Sequence, residues 1–204
     1  FSDASGEYEL YIIPADGKGE AKKLTDLGES YKQGINWSPD NKKIVFNDNF
    51  GNLFIHSIES NKTTKIDKNN FGYFFNISWS SDSKWVAYDN NTQYAHSTIF
   101  VYNVDSGESK QLFSDFYNCS LPAFDPKGDY LYFYGMKTFD ATYSDQDPTW
   151  IYNNSTNLYA VTLRDSVKDI FSLKNDEVEV KEEKKEDAKK DEKKDESKKD
   201  EKSD

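Results

Sequence analysis

Three stretches of this chain are versions of one another: WSPDNKKIVF at 37–46, WSSDSKWVAY at 79–88 and, more loosely, FDPKGDYLYF at 124–133. Their starts lie 42 and then 45 residues apart. A period in that range constrains the fold more than any other feature, because a unit of that size cannot bury its apolar surface alone and must stack on its neighbours. A helical repeat would need runs of about ten or more residues with helical apolar periodicity. The sequence has none.

Within one unit, short apolar segments alternate with turn clusters: GINW, SPDN, KKIVFND, NFG, NLFIHSIE, SNK and TTKID. That pattern reads as four short strands. In SPDN, Pro39 fixes φ for the second position of a type I turn, while Ser38 and Asp40 are placed to bond backbone amides across it. Asp125-Pro126-Lys127-Gly128 repeats the device in the third unit. Ile44 and Phe46 point to one side of their strand and Val45 to the other, and Leu53 and Ile55 oppose Phe54 and Ile58. Both sheet faces are therefore apolar and both need cover. Small antiparallel sheets covered on both sides at this period describe the blades of a β-propeller.

Residues 1–25 align with only the second half of a unit, ELYII with NLFIH and AKKLT with TTKID. Fuller units follow at about 34–67, 76–112 and 121–163, the last carrying an insertion at 135–154. The expected fold is thus all-β: about three and a half four-stranded antiparallel blades of a larger propeller over 1–175, then a charged low-complexity linker over 176–204. Closed propellers usually have about four to eight blades. An open stack leaves an apolar face and unpaired strand edges in water, so the remaining blades are expected elsewhere in a longer protein or on a partner. The insertion is the first candidate for a contact surface. Its aromatics Phe139, Tyr143, Trp150 and Tyr152 either form that surface or pack beneath it as a small satellite core.

Charge narrows the function classes. The net charge is −11, and residues 181–204, with ten Lys and eleven Asp or Glu, contribute only −1 of it. The acidity belongs to residues 1–180, and an acidic surface repels phosphate backbones. No nucleic-acid partner is expected. The tail's charges alternate in sign and it has no apolar residue larger than Ala188, so it reads as a disordered solvated spacer. No apolar run approaches the roughly 18 residues of a membrane helix, and no membrane partner is expected. Cys119 is the only cysteine, which excludes an intrachain disulfide and suits a small buried residue. Asn118-Cys119-Ser120 and Asn154-Ser155-Thr156 match the short glycosylation acceptor pattern.

Catalytic signatures are missing. No nucleophile elbow, metalloprotease helix motif, phosphate loop or dinucleotide fingerprint occurs, and no serine has a histidine and an acid at a recognisable spacing. His56 sits mid-strand among Phe54, Ile55 and Ile58 and reads as a packing residue, whereas His96 reads as a solvated loop residue. With one cysteine, they make no metal site. Asp145 and Asp147 in SDQDPT lack the Gly and terminal Glu of a calcium loop and read as Asx turns. The expected catalytic, cofactor and metal residues are accordingly none, and no cofactor is expected.

FSDASGEYELYI, ISWSSDSKWVAY, FDPKGDYLYF and IYNNSTNLYAVTL together resemble the propeller region of tricorn-type serine peptidases, over about residues 1–180. The resemblance implies a segment of a second, seven-bladed propeller that guides or filters peptides. The nucleophile, histidine and oxyanion groups would lie downstream, in a homo-oligomeric and chiefly cytoplasmic parent, or a periplasmic one if it is exported. Its implied partners are peptide substrates and the remaining blades and catalytic domains of the same chain. Asn41 and Ser83 stand where the turn usually has Gly, and WSSD replaces WSPD in the second unit. Two alternatives remain: a TolB-like protein-binding module without hydrolase activity, and the propeller of a prolyl-oligopeptidase-like enzyme.

Overall fold

A computed structural model describes residues 1–94 and 96–172. The chain divides into Phe1–Ile170 and Phe171–Asp204, and the architecture below is that of the first unit. The stretch expected as a linker, 176–204, lies outside the described residues.

Among the described residues the only regular elements are strands. They are β1 (Tyr11–Ile12), β2 (Lys22–Lys23), β3 (Lys32–Trp37), β4 (Lys43–Asp48), β5 (Asn52–Ser57), β6 (Lys62–Lys68), β7 (Ile77–Trp79), β8 (Trp85–Asn91), β9 (Ser97–Asn103), β10 (Glu108–Gln111), β11 (Asn118–Phe124), β12 (Tyr130–Met136), β13 (Ala141–Tyr143), β14 (Trp150–Tyr152) and β15 (Asn157–Thr162). Two four-stranded meanders, β3-β4-β5-β6 and β7-β8-β9-β10, are followed by the three-stranded sheet β11-β12-β15. The β1-β2 pair precedes them, and the insertion folds as the separate hairpin β13-β14. All pairings are antiparallel. The blade architecture read from the repeat is the architecture observed. The third sheet has three strands among the described residues, for after Thr162 the chain enters the turn-forming run Leu163-Arg164-Asp165-Ser166.

Strand alternation distributes the core into layers between successive sheets. Ile44, Phe46 and Phe54 meet Leu10 and Leu24, which flank the β1-β2 pair. On the opposite face of the same strands, Val45, Leu53 and Ile55 meet Val86, Tyr88 and Tyr102 of the next sheet. Ala87 and Ile99, on that sheet's far face, meet Cys119, Leu131 and Phe133. Each fully buried large aliphatic contributes about 1.5–3 kcal/mol, so these layers hold the stack together. Beyond the third sheet, Tyr134, Met136 and Leu158 are exposed, and no further sheet covers that face among the described residues.

The first strands of the sheets lie close together. Trp79 Nε1 donates to the Asn36 carbonyl at 3.3 Å, and the Phe124 N–H donates to Ser78 Oγ at 3.0 Å. These contacts join β3 to β7 and β7 to β11, so the fan narrows along its first strands. The Trp37 ring is exposed, and the β1-β2 pair that precedes its sheet has only two strands among the described residues.

A meander places its connections alternately at its two ends. At one end, here the turn end, the SPDN-type hairpins touch: the Asp40 N–H donates to Ser83 Oγ at 3.1 Å. Asn41, Ser83 and Gly128 occupy equivalent places in the three turns at φ of 59°, 60° and 71°. Asn41 and Ser83 thus take the left-handed conformation that glycine favours. The other, loop end carries the β4–β5 and β8–β9 hairpins, the insertion and the crossings from sheet to sheet. There the Asn69 N–H donates to the Gly51 carbonyl at 2.7 Å and the Asn49 N–H to the Tyr31 carbonyl at 2.9 Å.

Candidate functional site

The residues with catalytic or metal-binding potential do not converge. His56 is wholly buried, with Nδ1 2.9 Å from Thr63 Oγ1. Its Nε2 has no partner. Burial pushes the imidazole below its ordinary pKa, with Lys22 adding to the effect. Thr63 lines a cavity of about 410 Å³ with Lys23, Thr25 and Asn61. An imidazole behind a hydroxyl resembles a nucleophile–base pair, but no carboxylate orients its other nitrogen, so the triad arrangement is not assembled here. His96 lies in the β8–β9 hairpin loop, exposed, its Nδ1 3.1 Å from the Asp115 carbonyl.

Cys119 is fully buried between the second and third sheets. Burial pushes its thiol up against the lowering influence of Lys137, the setting of a packing residue. Asp147 accepts from Thr149 Oγ1 at 2.8 Å, and the hydroxyls of Ser144 and Thr149 hold it below the usual carboxylate range. With Asp145 exposed beside it, SDQDPT is a self-satisfied polar loop. No cluster of three or more His, Cys, Asp or Glu suited to a metal ion occurs among the described residues. Of the glycosylation-pattern residues, Asn118 accepts from the Ser97 N–H at 3.0 Å, and Asn154 lies in an exposed loop at φ 51°.

What the fold does bring together is a set of aromatic rings at the loop end. The four insertion aromatics Phe139, Tyr143, Trp150 and Tyr152 are all exposed, paired as Phe139 with Tyr152 (5.1 Å) and Tyr143 with Trp150 (5.5 Å). They form surface and not a satellite core. The neighbouring loops contribute rings that the sequence reading had not singled out: Phe50, Phe71, Phe74, Tyr94 and Phe116, each more than half exposed. Local chemistry fixes their backbones. The N–H of Phe50 donates to Asp48 Oδ1 (3.0 Å), that of Phe71 to Asn69 Oδ1 (2.9 Å), that of Tyr94 to Thr92 Oγ1 (3.4 Å) and that of Phe116 to Ser114 Oγ (3.2 Å). Each of these four rings is the third residue of an Asx- or Ser/Thr-turn. The sequence signal was a polar residue two before an aromatic, DNF, NNF, TQY and SDF, recurring at about half the blade period.

A buried polar layer supports these loops. Glu9 and Lys32 are almost wholly buried and form an ion pair at 3.2 Å. Glu9 also accepts from Thr25 Oγ1 at 2.5 Å, the Leu27 N–H at 2.7 Å and the Gly28 N–H at 3.0 Å. Burial pushes its carboxyl up, but the bonds from Thr25, Leu27, Lys32 and Gly28 together outweigh it and hold the pKa below the ordinary value. Asp89 accepts from the Asn76 N–H at 2.8 Å and from the Leu121 N–H at 3.0 Å, tying a crossing to the third sheet.

Comparison with known proteins agrees with this architecture. The family model described as the tricorn protease second beta propeller domain matches residues 1–202. Among curated proteins, the chain is similar to a putative Tricorn-like protease C-terminal subunit of Sulfurisphaera tokodaii, 32% identical over 61% of this chain and 14% of that protein. It is also similar to a Tricorn protease homolog of Saccharolobus solfataricus, 27% identical over 67% of this chain and 12% of that protein. The crystal structure of the tricorn protease superposes with a TM-score of 0.63 at 18% identity, over 71% of this chain and 15% of that one. The chain therefore spans less than one-fifth of the length of these relatives. Repeat period, strand order and family match coincide: the chain belongs to the family of the tricorn protease second β-propeller domain.

Proposed function

We propose that this chain is a non-catalytic propeller segment of a tricorn-type serine peptidase. Its role is to guide or gate oligopeptides toward a catalytic centre carried outside residues 1–204. The observation that carries the reading is the family match over residues 1–202. Two features of the chain support the non-catalytic part. His56 and Cys119 are both sealed in the core, and the exposed His96 has its Nδ1 3.1 Å from the Asp115 backbone carbonyl. The same reading carries a homo-oligomeric parent, cytoplasmic unless exported.

The test is a peptidase assay with fluorogenic oligopeptides on the full-length protein and, separately, on residues 1–204. Hydrolysis by the full-length protein alone is the expected result. Turnover by residues 1–204 would overturn the non-catalytic assignment, and a full-length protein inert toward every oligopeptide would overturn the peptidase reading.

A further inference from the structure

We propose that the loop end of the blades is a docking surface for extended, positively charged oligopeptides, held by its exposed rings and carboxylates. This rests on the reading of the chain as a peptide-handling segment and names the substrate chemistry that the segment favours.

The two ends of the blades differ in chemistry. Every SPDN-type turn pairs an acid with a base two residues on, Asp40 with Lys42, Asp82 with Lys84 and Asp125 with Lys127, and none of these turns contains an aromatic residue. Beside these turns the strand-end rings of Trp37 and Trp85 are exposed, whereas the loop end exposes the larger set Phe71, Phe74, Tyr94, Phe116, Phe139 and Trp150. Interspersed with these rings are the acids Glu29, Asp115, Asp140, Asp145 and Asp147, none of them wholly buried. Among the described residues the basic side chains on these loops are Lys68 and Lys137, and Lys137 is already engaged. Its ammonium lies 5.2 Å from the Phe113 ring, 5.2 Å from Phe133 and 4.8 Å from Tyr159. The surface is thus rich in ring faces and negative charge, both of which attract Lys and Arg side chains.

The form of the loops suits a succession of peptides better than one permanent partner. Rings stand among Asn, Ser, Gly and Asp in NNFGYFFN (69–76), FSDFYN (113–118) and the insertion, a composition that pairs rigid aromatic anchors with adaptable hydrogen-bonding groups. The Asx- and Ser/Thr-turns at Phe50, Phe71, Tyr94 and Phe116 hold those anchors in place before anything binds, which lowers the ordering cost of association. A permanent interface would be more continuously apolar and poorer in charge.

The experiment measures fluorescence anisotropy of labelled peptides on the full-length protein. One peptide alternates Lys or Arg with Phe or Leu, and two others replace every Lys and Arg by Gln or by Glu. The basic peptide is expected to bind at least roughly tenfold tighter than either substitute at low salt, with the advantage shrinking as salt rises. Combining Phe71→Ser, Phe116→Ser and Trp150→Ser should weaken it by roughly tenfold or more, while Lys42→Ser and Lys84→Ser at the turn end leave it unchanged. Glu29→Gln with Asp115→Asn and Asp140→Asn, which preserve shape, should remove the preference for the basic peptide, and they decide the matter should the ring variants fail to fold. Equal binding of all three peptides, or binding untouched by both variant sets, overturns the proposal. Hydrolysis by the full-length protein together with that result sinks the docking surface alone. Basic-peptide binding without hydrolysis of any peptide sinks the peptidase reading and leaves the surface standing.

Discussion

The turn end and the loop end of the same blades are built from the same strands, yet one repeats and the other diverges. At the turn end, Ser38 Oγ donates to Asp40 Oδ1 at 2.6 Å and receives the Lys43 N–H at 2.9 Å. Ser80 does the same with Asp82 (2.6 Å) and the Trp85 N–H (2.9 Å). At the loop end the corresponding connections differ in length, and one has grown into a hairpin of its own. A stacked repeat needs one reproducible closure per blade to fix register, and once it has that, the opposite end is free to carry recognition. The comparison therefore predicts that the turn end and the layer beneath the loops carry stability, and that the exposed rings carry almost none.

The largest effect should come from the buried pair under the loops. Lys32→Met leaves Glu9 buried without its counter-charge, which costs about 3–5 kcal/mol. The lower part of that range is expected, because Thr25, Leu27 and Gly28 still bond the carboxylate. Denaturant unfolding of the two proteins at neutral pH measures it. The pH dependence has a defined sign. Glu9 has a folded pKa below its ordinary 4.5, so its contribution is complete above 4.5 and is lost as the pH falls through the lower folded value. In Lys32→Met one of the lowering bonds is gone and the folded pKa rises, so less stability should be lost on acidification and the gap between the two proteins should narrow as the pH falls.

Two glycines sharpen the comparison. Gly51 at the loop end and Gly128 at the turn end have φ of 77° and 71°, so a side chain strains both equally. They differ in space. A Cβ on Gly51 would lie 2.2 Å from the Asn69 carbonyl oxygen and 2.5 Å from that of Gly72, whereas on Gly128 the nearest atom is Ser81 Oγ at 3.9 Å. Gly128→Ala is expected to cost about 1 kcal/mol from backbone strain alone. Gly51→Ala should cost about 2–3 kcal/mol, because two backbone segments must also part. Equal losses in thermal unfolding would show that the crossing does not pack against the β4–β5 hairpin as described.

The turn end was legible in the sequence because its chemistry is local: SPDN and DPKG contain both the bent backbone and the groups that satisfy it. Face assignment was legible for the same reason, since Ile44 and Phe46 against Val45 is an alternation within three residues. The buried pair was not, for Lys32 opens a strand that reads as an exposed edge and its partner is 23 residues away. ELYII and AKKLT, which align with NLFIH and TTKID, keep only two paired residues each, because no inner strands of their own blade flank them. The insertion's aromatics were visible as a long loop, whereas Phe50, Phe71, Tyr94 and Phe116 were hidden among connections too short to attract notice. Only a meander's alternation of ends gathers those connections on one side.

Smaller effects separate the two ends most cleanly. Ser80→Ala removes a donor to Asp82 and an acceptor for the Trp85 N–H in a nearly buried site, an expected loss of about 1–2 kcal/mol. The Ser80 bond is the main reason that Asp82 titrates below its ordinary 3.8, so an NMR titration of the variant should show that pKa moving upward. Phe71→Ser at the loop end should do neither. Its ring is 55% exposed, and the bond from its N–H to Asn69 belongs to the backbone and survives the change. The stability change should stay within about 0.5 kcal/mol. If Phe71→Ser instead destabilises as much as Ser80→Ala, the rings of the loop end are packing residues and the contrast between the two ends disappears.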